Sequence, residues 1–304
     1  MINTLKMNFK NIKISTLLRT GTEALIYNGF INEKKIIVKL NKNKLSWINE
    51  TESLKKLNHK NIIRMETEAY PNVKQSEIMK VKGKLNNDNI FWLLTQEYAE
   101  KGDLYDLLFE YKYFEENICK AFMYPIIKAL NYAYYEKSIS HRDIKLENIF
   151  IMNDWTIKLG DWGLASLNSK NRKSDSTCGT RNYASPQIIE RKPYSPDKND
   201  VWSSGVLLFS MITGLQPYSI NEKASMKSKV YYNLIKKKEW DKFWLYHEFS
   251  LKDENIFISD DCKDLIEKML DYDEDKRISL KEILEHKWMK DQINSSKILK
   301  EYFF

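Results

Sequence analysis

A chain of 304 residues carries a net charge of +7, but only seven of its 49 basic residues are Arg. Nucleic-acid surfaces interleave Arg with aromatic residues along one face; no such cluster occurs, so the charge reads as a lysine-rich solvated surface with no nucleic-acid partner. No run approaches the ~18 apolar residues of a membrane span, and the N-terminus lacks an apolar stretch long enough for a signal peptide.

In chain order, Arg19-Thr20-Gly21-Thr22-Glu23-Ala24 is a turn with a single glycine, followed by Leu25-Ile26. Glycines let backbone N–H groups approach phosphates closely; Arg19 and Ala24 restrict that approach, so this turn alone gives no sign of a nucleotide. Ile36-Ile37-Val38 reads as a strand that ends on Lys39, and a helical stretch follows over Trp47–Leu57. Between Met65 and Trp92, Lys74, Lys80, Lys82 and Lys84 lie near Asn86-Asn87-Asp88-Asn89, which reads as an extended, solvated hairpin tip. Cys119, Cys178 and Cys262 are scattered without metal-ligand spacing and read as free thiols in a reducing compartment. No Pro/Gly/Ser-rich linker, repeat or charge block divides the chain.

His141-Arg142-Asp143-Ile144-Lys145-Leu146-Glu147-Asn148, and then Asp161-Trp162-Gly163, carry the chemistry. Two carboxylates and an amide at these intervals suit phosphoryl transfer: one acid deprotonates an acceptor hydroxyl, while the other acid and the Asn hold a metal on nucleotide phosphates. Between them, Ile149–Leu159 is two apolar runs around an Asn-Asp turn, a β-hairpin that can bring Asn148 beside Asp161. Asp200–Thr213 is apolar around most of its circumference, as suits a helix at the centre of a domain.

With Gly179-Thr180, Tyr183, Pro186 and Asp200-Val201-Trp202-Ser203-Ser204-Gly205 in the same order, the chain resembles the eukaryotic protein kinase family. An aminoglycoside phosphotransferase shares a similar His-x-Asp-x-x-x-x-Asn but is not expected to carry these later segments. Lys145–Asn148, Cys178–Tyr183 and His286-Lys287-Trp288-Met289 look most like the calcium/calmodulin-dependent and SNF1-related group, whereas Asp-Trp-Gly is similar to the active casein kinase 2 family. The resemblance implies an α+β, two-lobed fold: a small antiparallel β-sheet lobe with one main helix, and a large, mainly helical lobe. It covers 12–289, with the small lobe at 12–97, the hinge at 97–101, the large lobe at 102–289, and a short tail at 290–304.

Residue by residue, the resemblance implies that Asp143 is the base, Lys39 the clamp on the α/β-phosphates, and Asn148 and Asp161 the Mg2+ ligands. Lys145 would stabilise the transferring phosphate and Thr180 would hydrogen-bond near Asp143; both mark Ser/Thr rather than Tyr kinases. Glu50 is the expected ion-pair partner of Lys39, with Glu52 the runner-up. Gly21, Ile26, Ile37 and Phe150 would enclose ATP, the last two bulkier than usual, with Gln96 at the back of the pocket. Backbone groups around Glu97 and Ala99 would meet adenine, and Asp103 the ribose. Asp200 would brace the His141-Arg142 turn. Ser176, with Thr177 beside it, matches the regulatory phosphosite, and Arg142 would pair with the phosphate. Gln187 replaces a Glu that would pair with an Arg, here Arg277. The expected activity is transfer of the γ-phosphate of ATP to Ser/Thr hydroxyls of protein substrates with basic residues before the acceptor. The setting expected is a monomeric, intracellular catalytic unit in cytoplasm or nucleus, away from membranes. The Gly-poor turn keeps open the alternative of a pseudokinase acting as a binding or scaffold module.

Overall fold

The computed structural model describes residues 7–78, 89–219, 226–251, 256–291 and 293–304. Lys80, Lys82, Lys84 and Asn86-Asn87-Asp88 of the expected hairpin tip lie outside them. The first lobe is a six-stranded antiparallel sheet in the order β1-β2-β3-β4-β6-β5. Its strands are β1 (Met7–Phe9), β2 (Ile12–Thr20), β3 (Ala24–Ile31), β4 (Lys34–Asn41), β5 (Tyr70–Lys74) and β6 (Ile90–Glu97). Helix α1 (Lys44–Lys56) follows β4, and the one-turn α2 (Gln75–Ile78) follows β5.

Strand alternation sets up the site. Ile36, Val38 and Leu40 of β4 are buried against Ile12, Ile14, Tyr27 and Leu93. With a period of two, Ile37, Lys39 and Asn41 fall on the opposite face, which α1 covers. The helix begins at Lys44 rather than at Trp47, because the Asn43 side chain accepts hydrogen bonds from the N–H groups of Leu45 (2.9 Å) and Ser46 (3.2 Å). Its buried face is Ser46, Glu50, Thr51, Ser53 and Leu54, so the helix turns mostly small or polar groups inward.

The large lobe is helical apart from short strand pairs. Its elements are α3 (Leu104–Tyr111), α4 (Glu116–Lys137), β7 (Ile139–Ser140), β8 (Ile149–Ile151), β9 (Ile157–Leu159), β10 (Ser166–Leu167), α5 (Pro186–Ile189) and α6 (Pro196–Thr213). After these come α7 (Met226–Lys237), α8 (Trp240–Leu251), α9 (Asp260–Met269), α10 (Leu280–Glu285) and α11 (Ser295–Phe303). Helix α6 is buried over nearly its whole surface, matching its apolar circumference. The expected hairpin is β8–β9, paired Ile149↔Leu159 to Ile151↔Ile157. Cys119, Cys178 and Cys262 are free. Among the described residues, no helix is long and apolar enough to cross a membrane.

At both ends the ordered structure extends beyond 12–289. The sheet starts before Ile12, with β1 paired to β2. The segment read as a tail contains α11, which packs on α4 with Leu299 fully buried. Phe303 stacks on Trp155 at the β8–β9 turn (4.9 Å between centroids, 5° between planes) and meets Tyr111 and Phe114 edge-on at 4.9 and 5.8 Å. Phe303→Ala should therefore destabilise the chain by about 2 kcal/mol, combining partial burial with lost ring pairing. Thermal denaturation would read this as a midpoint several degrees lower; an unchanged midpoint would mean that α11 is not part of the folding unit.

Candidate active site

Lys39 projects from β4 between two acids. Its ammonium donates to Asp161 Oδ1 at 2.7 Å and pairs with Glu50 Oε2 at 2.8 Å, while Glu52, the runner-up, pairs with Lys55 instead. Burial pulls the Lys39 ammonium down, but the charges of Asp161 and Glu50 outweigh it and hold the pKa above its ordinary value. For Asp161, burial opposes ionisation, yet Lys39 prevails and brings it down to about 2. Glu50, with no exposed surface, is raised: its burial, with help from the Asp161 charge, exceeds the pull of Lys39.

Asp143 is the second centre. Thr180 Oγ1 donates to its Oδ1 at 2.7 Å, and Lys145 Nζ donates to its Oδ2 at 2.7 Å and to Thr180 Oγ1 at 3.0 Å. Asn148 Nδ2 donates to the Asp143 carbonyl (2.8 Å) and to its Oδ2 (3.2 Å), which leaves the amide oxygen of Asn148 as the free-facing acceptor. The hairpin returns the chain to this place: Gly160 N–H donates to the Asn148 carbonyl at 2.9 Å, immediately before Asp161.

The turn holding Asp143 is braced from beneath. Asp200 accepts from the N–H groups of His141 (2.7 Å) and Arg142 (2.6 Å). Asp143 N–H donates to His141 Nδ1 at 3.2 Å, so the ring proton sits on Nε2, which donates to the Gly160 carbonyl at 2.8 Å. Burial keeps this histidine below its usual pKa, in agreement with a neutral ring. Trp162, fully buried, sets its ring 4.6 Å from the His141 ring. Gly163 lies under α1: a Cβ there would come within 2.4 Å of Ser46 Oγ, and Asn49 Nδ2 donates to the Gly163 carbonyl at 3.3 Å. Helix α1 thus touches the Asp-Trp-Gly turn directly.

Around the expected nucleotide pocket, Ile26 pairs with Lys39 across β3–β4, and Ile37 pairs with Gln96 across β4–β6. Phe150 packs so closely on Gly160 that a Cβ there would lie 2.6 Å from its ring. The Gly-poor turn is pinned: Gly21 N–H donates to the Ala24 carbonyl (2.8 Å), and Lys42 holds the carbonyls of Glu23 (2.7 Å) and Gly21 (2.8 Å). The Ala99 carbonyl is occupied by Gly102 N–H at 3.2 Å. Asp103 caps α3 by accepting from Asp106 N–H at 3.0 Å.

Three groups carry more than the sequence indicated. Glu97 is no plain strand residue: its buried carboxylate accepts from Lys158 Nζ at 2.8 Å and from Arg64 N–H at 2.7 Å. A lysine in the middle of the apolar strand Ile157-Lys158-Leu159 was the available signal, since a buried lysine demands a partner. Gln96, at the back of the pocket, donates from Nε2 to Glu50 Oε1 at 2.8 Å. Gln187 accepts from Arg277 Nη2 at 3.1 Å and also donates to the Tyr272 carbonyl at 2.8 Å, a second bond that a carboxylate would forfeit.

In the segment after Gly163, Arg142 Nη1 donates to Ser176 Oγ (2.7 Å) and to Ser174 Oγ (3.3 Å), and its Nε donates to the Leu164 carbonyl (2.7 Å). Thr177 is exposed. Ser174 and Tyr194 exchange backbone bonds of 2.8 and 3.0 Å. A separate cavity of about 450 Å³, lined by Lys60, Lys128 and Ser295 among others, contains no carboxylate and stands apart from this chemistry.

Residues 28–289 match the family model of the protein kinase domain. The chain belongs to the protein kinase family. A probable serine/threonine-protein kinase of Dictyostelium discoideum is 32% identical over 284 residues, covering 92% of this chain and 31% of that protein. An Aurora kinase of Schizosaccharomyces pombe is 31% identical over 227 residues (75% and 58%). The serine/threonine-protein kinase SIK1 of Mus musculus is 29% identical over 287 residues (93% and 31%). The chain therefore spans less than two thirds of the length of each of these relatives.

In this kinase domain, Gly179 couples the later segment to the turn holding Asp143. It has φ +94°, and a Cβ would stand 2.6 Å from the Arg142 carbonyl oxygen, a backbone atom that cannot swing aside. Gly179→Ala should cost on the order of 1–3 kcal/mol. A thermal scan beside the exposed-site control Asp175→Ala checks this: the control should stay at the wild-type midpoint and Gly179→Ala should fall clearly below it.

Proposed function

We propose that the chain is an ATP-dependent serine/threonine protein kinase. The observation that carries this reading is the convergence of Lys145, Thr180 and Asn148 on Asp143, while Lys39 is bracketed by Glu50 and Asp161. Asp143 is oriented through both carboxylate oxygens, so it can align an acceptor hydroxyl and take its proton as the oxygen attacks phosphorus. Lys145 then lies beside the developing negative charge, and Lys39, held cationic by its two acids, is a clamp for nucleotide phosphates.

The donors present suit a hard divalent ion. Asn148 and Asp161 offer amide and carboxylate oxygen, and among the described residues there is no cluster of three or more His, Cys, Asp or Glu that would form an all-protein cage. Mg2+ is ordinarily held this way, by one or two protein oxygens together with substrate phosphates. Asn148 and Asp161 would hold the ion there, and it would supply positive charge against the nucleotide phosphates.

Two finer readings belong with this proposal. Ser176 is the regulatory phosphosite: its hydroxyl already meets Arg142, and a phosphate would make that bond charge-assisted and tie the segment to the turn holding Asp143. Asp103 and Glu147 form the contact for basic residues preceding the acceptor. One Glu147 oxygen is buried without a hydrogen-bond partner, and Asp103 is raised in pKa by burial, with further pushes from the charge of Asp106 and, less, of Glu147. A cationic side chain would relieve both. The pinned Gly-poor turn favours the alternative of a domain that binds without turnover, and the first experiment separates the two.

Wild-type protein should transfer labelled γ-phosphate from Mg-ATP to a generic basic protein. Asp143→Asn and Asp161→Asn should each lose at least ~10²-fold in turnover, about 2.7 kcal/mol of barrier. Nucleotide binding without any transfer by the wild type would establish the non-catalytic alternative. On a peptide array, Arg or Lys before the target Ser/Thr should be preferred; a preference for acidic peptides would remove Asp103 and Glu147 from substrate recognition.

A further inference from the structure

We propose that Gln96 is a positioning residue for phosphoryl transfer, its side-chain amide fixing the Glu50 carboxylate in the orientation that engages Lys39. The inference rests on the kinase reading above and adds a residue that acts through Glu50 rather than on the nucleotide.

Glu50 has no exposed surface, and its two oxygens face different partners. Oε2 meets the Lys39 ammonium at 2.8 Å, a contact between charges that tolerates rotation of the carboxylate. Oε1 accepts from Gln96 Nε2 at 2.8 Å, a directed bond from a planar amide that does not. Gln96 is itself 93% buried, and its backbone is held on both sides, paired with Ile37 in the β4–β6 ladder and with Met65 opposite. The amide is therefore a fixed donor in the sheet, aimed across the pocket at α1.

The charge environment gives this bond its weight. Glu50 and Asp161 both lie against Lys39, so Glu50 is buried near a second negative charge with one cation shared between them. Lys39 makes its shorter, directed bond to Asp161, leaving Glu50 the weaker claim on it. Without the amide, Oε1 would be a buried acceptor with no donor, and the carboxylate could turn away or take up a proton. Either event would free Lys39 to follow Asp161 alone and loosen α1, which also carries the Ser46 and Asn49 contacts to Gly163. An apolar side chain at position 96 would fill the same space but leave Glu50 held from one side only.

The test uses Gln96→Met, close in volume and unable to donate, with Gln96→Thr as a second variant too short to reach. These are measured alone and in the Glu50→Gln background by steady-state phosphate transfer and by urea denaturation. Gln96→Met should lower kcat by about tenfold, the scale of one hydrogen bond to a charged group, with little change in KM for the peptide. In the Glu50→Gln background the same substitution should cause no further fall in kcat, because its target is gone. A side chain that merely lines the pocket would instead raise KM for ATP at constant kcat, and that result would overturn the proposal. So would strictly additive effects of the two substitutions on both kcat and urea stability. If the wild type transfers no phosphate, the kinase reading fails, and Gln96 loses its role in transfer with it; the urea cycle then still reports whether the amide holds Glu50.

Discussion

Burying a lysine between two carboxylates is the constraint on which the rest of this molecule depends. Lys39 stays charged out of water beside Glu50 and Asp161, and Glu50, with no exposed surface, relies on Lys39 in turn, whereas Asp161 keeps part of its carboxylate open to solvent. That mutual dependence ties three distant parts of the chain together: a strand of the sheet, the one large helix above it, and the turn after β9. The register of β4 puts Lys39 on the face away from the small-lobe core, the Asn43 cap starts α1 early enough to carry Glu50 over it, and the hairpin delivers Asp161. Failure of any one leaves a buried charge uncompensated, so the geometry is cooperative rather than a sum of independent contacts.

The turn holding Asp143 follows a different logic. Its stiffness comes from the tautomer of His141, the buried Asp200 carboxyl that accepts from two backbone N–H groups, and the Asn148 carbonyl that Gly160 caps. Charge is concentrated at Asp143 and Lys145, where a reacting hydroxyl and phosphate would meet it. Support and chemistry are thereby kept on separate residues.

How far this was readable from the amino-acid sequence depended on the range of each interaction. Asp143, Lys145 and Asn148 lie within one short segment, and the hairpin that returns Asp161 is signalled by its own apolar runs and turn, so this part of the site was legible. Glu50 was ranked ahead of Glu52 from the sequence, and the structure bears this out, with the cap at Asn43 a local signal that the helix starts before Trp47. The pairing of Gln96 with Glu50 joins residues far apart in the chain, and an amide in a strand has no pattern that names its partner. Helix α11 escaped for the same reason: its amphipathic stretch is short, and the surface it needs, Trp155 with Tyr111 and Phe114, is built from remote positions. Lys158 was the opposite case, a local anomaly whose meaning was plain once its burial was known.

The ion pair between Glu97 and Lys158 bears on how the two lobes can move. Glu97 ends the last strand of the small lobe before the hinge, and Lys158 belongs to the hairpin of the large lobe. The same hairpin is joined by backbone bonds to Asn61 and Ile63 on one side and to Lys101 and Gly102 on the other. The hairpin is therefore fastened on both sides of the hinge segment, so a rotation of one lobe against the other that kept these bonds would turn close to β8–β9. Atoms near an axis travel least. Asp161, just past β9, would then move less than the Gly21 turn between β2 and β3.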